Sequence, residues 1–480
     1  MSMTVPRTGD TAVRSRLRVP RLVVVALVAL VTPLYFAVAG IQLSPSRLLF
    51  LVTIPVLVGR LAAGHYGGVR LPDWLMLAYV IWVALSVSMN NPDVLVSFVG
   101  SNALEILGGY LVARTAIRTA DDFEGTVRLL GLIVLISIPF AVLEALTDRP
   151  LILEILDKVP VFRTQPNSPN APRMGLERAQ FVFAHPIHYG LWCGLAFGTV
   201  LIGLRGAVSV VRRILWASAI GLGTFLSLSS GPFLALMVQL GLIAYGFGMR
   251  RVTRHAWRIF GIGAVIFYVL VEVFSDRPAY LAIISRLVMS PYTAYLRATL
   301  LDYGLAQIGR TPVLGIGFYR DWGLPIWMSG SIDNHWLFTA LTYGVPAFAF
   351  MFGAFLAALI GAGRRPFAVD SRLWNLRFGW MVVCIGLMLT IATVAIWAEL
   401  QTICFFVLGS GVWFAAVTAD DDVPDPATAA DIRRLHYSRF GTSMPSESRL
   451  GISIAREATS YARPLAGETV GRPHHRGSRP

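Results

Sequence analysis

Long apolar runs recur from residue 22 to residue 418, separated by short polar stretches. A helix needs about 20 such residues to cross a ~30 Å hydrocarbon core, and lipid offers no partner to backbone groups left unpaired. The pattern therefore predicts an all-α polytopic membrane protein with about twelve transmembrane helices. They fall near 22–40, 47–64, 73–89, 95–114, 127–146, 187–204, 213–229, 231–248, 257–274, 335–361, 376–395 and 400–418. The fourth is polar for a span, with Ser97, Ser101, Asn102 and Glu105. Two connections break the rhythm, 147–186 and 275–334, the second between the ninth and tenth spans. The second carries Arg277, Arg286, Arg297, Arg310 and Arg320 and ends in Ser331-Ile332-Asp333-Asn334-His335-Trp336. Loops that long inside a compact protein are functional or disordered, and the Tyr, Trp, Leu and Ile content of this one argues against disorder.

Composition fits the pattern. Of 480 residues 55% are hydrophobic and only 14% charged, a balance that a soluble chain could not bury. The net charge is +14, and of 41 basic residues only Lys158 is a lysine. Nucleic acid is the reflex partner for such a charge, but the placement of the arginines favours topology and contact with anionic membrane lipid. Residues 1–21 hold Arg7, Arg14, Arg16, Arg18 and Arg21 ahead of the first span, with no small-residue cleavage site after a short apolar core, so they read as a cytoplasmic basic segment of a signal anchor. Alternate loops at 60–72, 114–128, 205–213, 249–258 and 362–377 are then also cytoplasmic, and each carries arginines. The polar, Pro/Gly/Ser-rich segment 419–480 then reads as a disordered cytoplasmic tail. The long connections 147–186 and 275–334 fall outside. Cys193, Cys384 and Cys404 are scattered through apolar spans and suggest neither a disulfide framework nor a metal site.

Three places in the outer loops carry candidate chemistry. Arg178 precedes Phe183-Ala184-His185-Pro186-Ile187-His188 at the mouth of the sixth span. A guanidinium there can grip phosphate through two parallel hydrogen bonds, and His185 and His188 can donate to or accept from a substrate, or bond only backbone and lipid headgroups. Ser290-Pro291 opens a predicted helix over 291–308 that carries Arg297, with Asp302 near enough along the helix to restrain it. Pro312-Val313-Leu314-Gly315-Ile316-Gly317 then predicts a tight turn rather than a dinucleotide fingerprint, which needs a strand before it and a helix after it. Finally Asp333, Asn334, His335 and Trp336 combine an acid, an amide, an imidazole and an indole at the start of the tenth span. Together they can orient and deprotonate a sugar hydroxyl and stack on its ring. Capping of the following helix by Asp333 or Asn334 is an equally direct reading. The acids Glu105, Glu272 and Glu399 look scattered among the spans, unlike the paired sites of an ion-coupled carrier.

In order and placement these segments resemble the O-antigen ligase/polymerase superfamily of bacterial envelope glycan assembly. The matching positions are Arg178…Phe183-Ala184-His185-Pro186…Gly190, then Arg297…Pro312-Val313-Leu314-Gly315-Ile316-Gly317, then Asn334-x-x-Leu337…Gly344-Val345-Pro346. Leu226-Ser227-Leu228-Ser229-Ser230-Gly231 resembles the family's Leu-Ser-Arg-Gly turn without its Arg, and the His185-Pro186-Ile187 form is closest to exopolysaccharide polymerases. The family's His position is occupied by Asp333, with His335 two residues later. The resemblance implies a multi-pass protein of the bacterial inner membrane, both termini cytoplasmic. Its substrate would be a glycan on a polyprenyl pyrophosphate carrier, with no cofactor and no metal. It also implies a chain-length regulator and a flippase as partners. Arg178 and Arg297, helped by Arg277 and Arg286, would bind the pyrophosphate leaving group. Asp333 or His335 would serve the attacking hydroxyl, and His185, His188, Asn334 and Trp336 would contact substrate. A polymerase, a ligase that attaches a finished chain, and a carrier of lipid-linked glycan all stay open.

Overall fold

The computed structural model describes residues 18–38, 41–159, 163–167, 171–249, 256–275, 291–318, 322–325 and 332–417. The basic N-terminal segment through residue 17, the tail 419–480, and Arg277, Arg286 and Arg320 lie outside these residues. Ten helices among the described residues are long and apolar enough to cross a membrane.

Ten of the twelve expected spans have a counterpart, and two do not. The run 22–40 gives only α1, Arg21–Leu30, followed by the antiparallel ribbon β1, Phe36–Val38, and β2, Ile41–Leu43. Pro33 accounts for the early stop, since it lacks an N–H and disfavours helical backbone in the residue before it. The run 213–229 becomes α8, Val210–Leu226, a 17-residue helix with Arg212 and Arg213 in its first turn, and it is not among the ten.

The remaining helices are α2, Pro45–Ala62; α3, Leu71–Asn90; α4, Gly100–Ala116, entered through short 3-10 and π turns from Pro92; α5, Ala120–Thr147; α6, Leu151–Leu156; α7, Pro186–Gly198, prolonged by a π turn to Gly203; α9, Ser230–Met249; α10, Ala256–Phe274; α11, Pro291–Arg310; α12, His335–Tyr343; α13, Val345–Gly363; α14, Arg372–Thr390; and α15, Ala398–Ser410. The helix predicted over 291–308 is α11. The predicted span 335–361 is two helices, α12 and α13, divided at Gly344, whose φ is +89°. Local chemistry sets several starts. Ser44 and Ser371 accept from the backbone N–H groups of Arg47 and Trp374, and Thr119 accepts from that of Asp122.

Helices α7 and α15 are almost wholly buried, whereas α10 is exposed along its described length. α15 lies along α4, and α7 packs on α8 and α9. The α4–α15 seam is close because Gly109 faces the Thr402 backbone and Gly409 faces the Tyr110 carbonyl. Small residues let helix backbones approach in this way where lipid supplies no hydrophobic drive between helices.

Connections sort to two ends of the bundle. At one, Arg114 Nε lies 3.0 Å from Asp73 Oδ1 with both side chains buried, Arg205 pairs with Asp370 at 2.9 Å, and Arg372 pairs with Glu124 at 2.8 Å. At the other gather the described residues 31–38, 163–167, 171–186, 227–229, 311–318, 332–334 and 391–397. All three candidate segments lie at this second end.

Candidate functional site at the second end of the bundle

The first cluster forms where the 173–185 segment crosses the turn after α8. Arg178 donates to the Ser229 hydroxyl at 2.8 Å and to the Ser227 carbonyl at 3.4 Å, and Arg173 donates to the Leu228 carbonyl at 2.8 Å. Leu228 takes a positive φ of 45°, which turns the carbonyls of this short loop toward the two guanidinium groups. The approach is fixed from behind by Glu144 at the end of α5, whose carboxylate accepts from the N–H groups of Gln180 and Phe181 at 2.8 and 2.9 Å. Burial and then the neighbouring Arg173 lower the pKa of Arg178 to about 10. Burial, then Arg178 and Arg173, push His185 down to about 4. The cluster is thus a partly desolvated positive centre beside a neutral imidazole. His185 caps α7, its Nδ1 accepting from Ile187 N–H at 3.1 Å, so the ring proton sits on Nε2.

The second cluster surrounds Arg297. A cavity of about 20 Å³, room for about one water, lies between Arg297, Asp333, Asn334, Leu337 and Thr393. Asp333 is exposed, and its charge partly offsets the burial that lowers the Arg297 pKa. The Arg297 Nε is buried without a hydrogen-bond partner among the described residues. Asp333, rather than Asp302, is the acid whose charge acts on this arginine.

What joins the clusters is the loop 391–397 between α14 and α15, which sequence reasoning missed. Thr393 lines the Arg297 cavity. Val394 and Thr393 lie against Gly231, two residues beyond the serine that holds Arg178. Ile391 accepts from the backbone N–H of His335 at 2.8 Å. Trp397 sets its ring against His188, with centroids 4.1 Å apart, and against His185 at 6.4 Å. Arg178 and Arg297 therefore stand at two ends of one short chain of contacts. No protein-family model matches this chain, and no curated protein is similar to it.

The other predicted residues fall as follows. His188 and His335 are buried, and no nitrogen of either ring has a hydrogen-bond partner among the described residues. Asn334 caps α12, its Oδ1 accepting from Leu337 N–H at 3.0 Å. Trp336 donates to the Met388 carbonyl at 2.9 Å and packs on Phe348, Phe352 and Phe355, which ties it into the bundle. The glycines after Pro312 do form a turn: Gly315 and Gly317 have φ of 67° and 64°. Two of the three acids, Glu105 and Glu399, come together, while Glu272 lies apart on the exposed α10. Arg47 Nη2 lies 2.6 Å from Glu105, and Glu399 is close enough for its charge to act on both. Glu399 is an acid within an apolar helix, which was the signal available in the sequence.

Proposed function

We propose that this chain is a membrane glycosyltransferase that joins polyprenyl-pyrophosphate-linked oligosaccharide repeat units at the outer face of a bacterial inner membrane. One observation carries the reading: two partly desolvated arginines on different elements, Arg178 in the segment before α7 and Arg297 on α11, are linked through the loop 391–397, which lines the Arg297 cavity and packs on Gly231 beside the serines that hold Arg178, with the exposed Asp333 beside Arg297. Helices α7, α12 and α15 all begin at that loop. Helix N-termini favour anions, so the corner suits a pyrophosphate. In this mechanism an acceptor hydroxyl attacks the anomeric carbon of the donor sugar. The bond from that carbon to the pyrophosphate breaks, and its electron pair leaves with the lipid pyrophosphate. Arg178 and Arg297 stabilise the growing charge on the leaving oxygens. Asp333 takes the hydroxyl proton. It is preferred to His335 because it is exposed, whereas the imidazole is closed off.

The test is a reaction of purified protein with a lipid-pyrophosphate-linked repeat unit, followed by product sizing. Arg178→Ala and Arg297→Ala should each slow chain growth by ~10²–10³-fold. Unchanged polymer formation in either variant, at normal protein level, ends the proposal. Long chains transferred to a separate acceptor would identify a ligase instead. A carrier of lipid-linked glycan is the second reading, favoured by the Glu105–Arg47–Glu399 charge cluster. It requires movement of the lipid-linked unit with no new glycosidic bond.

A further inference from the structure

The mechanism leaves unused a polar cavity of about 230 Å³ next to the His185 corner, bounded by Tyr35, Arg163, Gln165, Ala184, Trp397 and Glu399. Arg47 also lines it, so it is assembled from five segments of the chain. The Tyr35 and Arg163 backbones pair reciprocally at 2.8 and 3.1 Å, which fastens the start of the ribbon to the 147–186 loop. The Tyr35 hydroxyl donates to Glu399 Oε1, and the Gln165 amide donates to the Tyr35 oxygen and, at 3.5 Å, to Glu399 Oε2. Glu399 is the second residue of α15, just after Ala398, a non-glycine residue at φ 51°, so the backbone is turned at the point where the carboxyl enters the cavity. Arg163 is exposed at the rim. Trp397 is 43% exposed although one side of its ring meets His188. A second cavity, of about 410 Å³, shares Arg163, Thr164, Gln165 and Pro166 with the first.

A carboxyl, a phenol, a primary amide and a guanidinium around an available indole make up the donor and acceptor set that a ring bearing several hydroxyls requires. Planar carboxyl and amide groups can each meet neighbouring hydroxyls, and the indole takes the apolar face of the ring. Pockets for drug-sized ligands run from ~300 to 1,000 Å³. The first cavity is smaller, suited to one ring, and the second continues along 163–166 where a longer chain can run on.

We propose that this cavity is a saccharide subsite, holding one pyranose of the acceptor glycan between Trp397 and Glu399. The assignment to the acceptor rests on the glycosyltransferase reading above. Trp397 and Ala184 are shared with the His185 corner, so a ring held here lies next to the arginines that would receive the donor pyrophosphate.

The experiment is saturation-transfer difference NMR on the full chain in detergent, with a panel of free hexoses, N-acetylhexosamines and hexuronates. At least one should give a signal on the unaltered protein. Trp397→Ala and Glu399→Gln should each weaken that binding by about tenfold, since each leaves polar or aromatic partners unmet. Gln165→Ala, outside any helix, should do the same if either of those variants fails to stay monodisperse. Arg297→Ala should keep the signal. Silence across the panel, persistence of the signal in the cavity variants, or its loss in Arg297→Ala would each overturn the subsite. Glycosidic bond formation is scored separately. Bonds formed without cavity binding sink the subsite alone, and cavity binding without bonds sinks the glycosyltransferase reading alone.

Discussion

His185 shows how one residue serves both fold and site. As the N-cap of α7 it must accept a hydrogen bond at Nδ1, which a doubly protonated ring cannot do. Burial and the charges of Arg178 and Arg173 enforce the same state by depressing its pKa from 6.5 to about 4. Between those values the unfolded chain binds a proton that the folded chain refuses. Stability from this group is therefore fully present above pH ~6.5 and is lost as pH falls toward ~4. His185→Asn keeps a capping oxygen and removes the titration. Thermal unfolding in detergent should show a steeper loss of midpoint between pH 6.5 and 4 in the unaltered protein than in His185→Asn. Parallel curves would mean that the ring is not held neutral. An anion bound at Arg178 and Arg173 would cancel part of the depression, so an added pyrophosphate should flatten the unaltered curve toward that of the variant.

The segment Pro312–Gly317 and the helix break at Gly344 are one device built from two motifs. Val345 N–H donates to the Pro312 carbonyl at 2.8 Å, and Ile316 and Gly317 N–H groups donate to the carbonyls of Leu341 and Thr342 at 2.9 and 3.0 Å. From the other side, Asn91 Oδ1 accepts from Phe318 N–H at 2.9 Å, and Asn90 and Ser86 donate to the Leu314 carbonyl at 3.0 and 2.6 Å. A Cβ at Gly344 would run into the Val313 carbonyl, and its φ of +89° is strained for any L side chain. Gly344→Ala should cost ~1–3 kcal/mol in backbone strain, read as a lower unfolding midpoint, and it should loosen Asp333, which lies just before the start of the short helix that this break ends. An unchanged midpoint would show that the break is tolerant. The turn glycines, Pro291 at a helix start and the Asn334 cap were legible in the sequence because each acts within a few residues. The loop 391–397 was not. Its residues are apolar and unremarkable in pattern, and their role comes from contacts with partners about 60 to 210 positions away, such as Ile391 with His335 and Trp397 with His188. The first span misled for a related reason: apolar residues that pair as a ribbon, Phe36–Val38 with Ile41–Leu43, read as a continuation of the apolar run.

At the scale of the whole molecule, the sorting of contacts to two ends turns a charge pattern into a testable orientation. Arg70, Arg114, Arg128, Arg205, Arg365 and Arg372 bond to carbonyls or acids at one end, as arginines retained on the cytoplasmic side would. At the other end Arg173, Arg178 and Arg297 belong to the site, while Arg47 and Arg149 pair with Glu105 and Glu154. If the first end is cytoplasmic, the site faces outward, where a lipid-linked glycan is presented in the proposed reaction. The native cysteines Cys193, Cys384 and Cys404 are all buried, so single exposed cysteines can be labelled against a quiet background. Asn167→Cys lies at the site end, and His65→Cys and Ser209→Cys lie at the other; all three positions are exposed. In spheroplasts, a membrane-impermeant maleimide should label Asn167→Cys at once and the other two only after lysis. The reverse pattern would place Arg178, Arg297 and the Trp397 cavity on the cytoplasmic face. A polymerase drawing on outward-presented lipid pyrophosphate would then be impossible, whatever the loss of activity in the arginine variants.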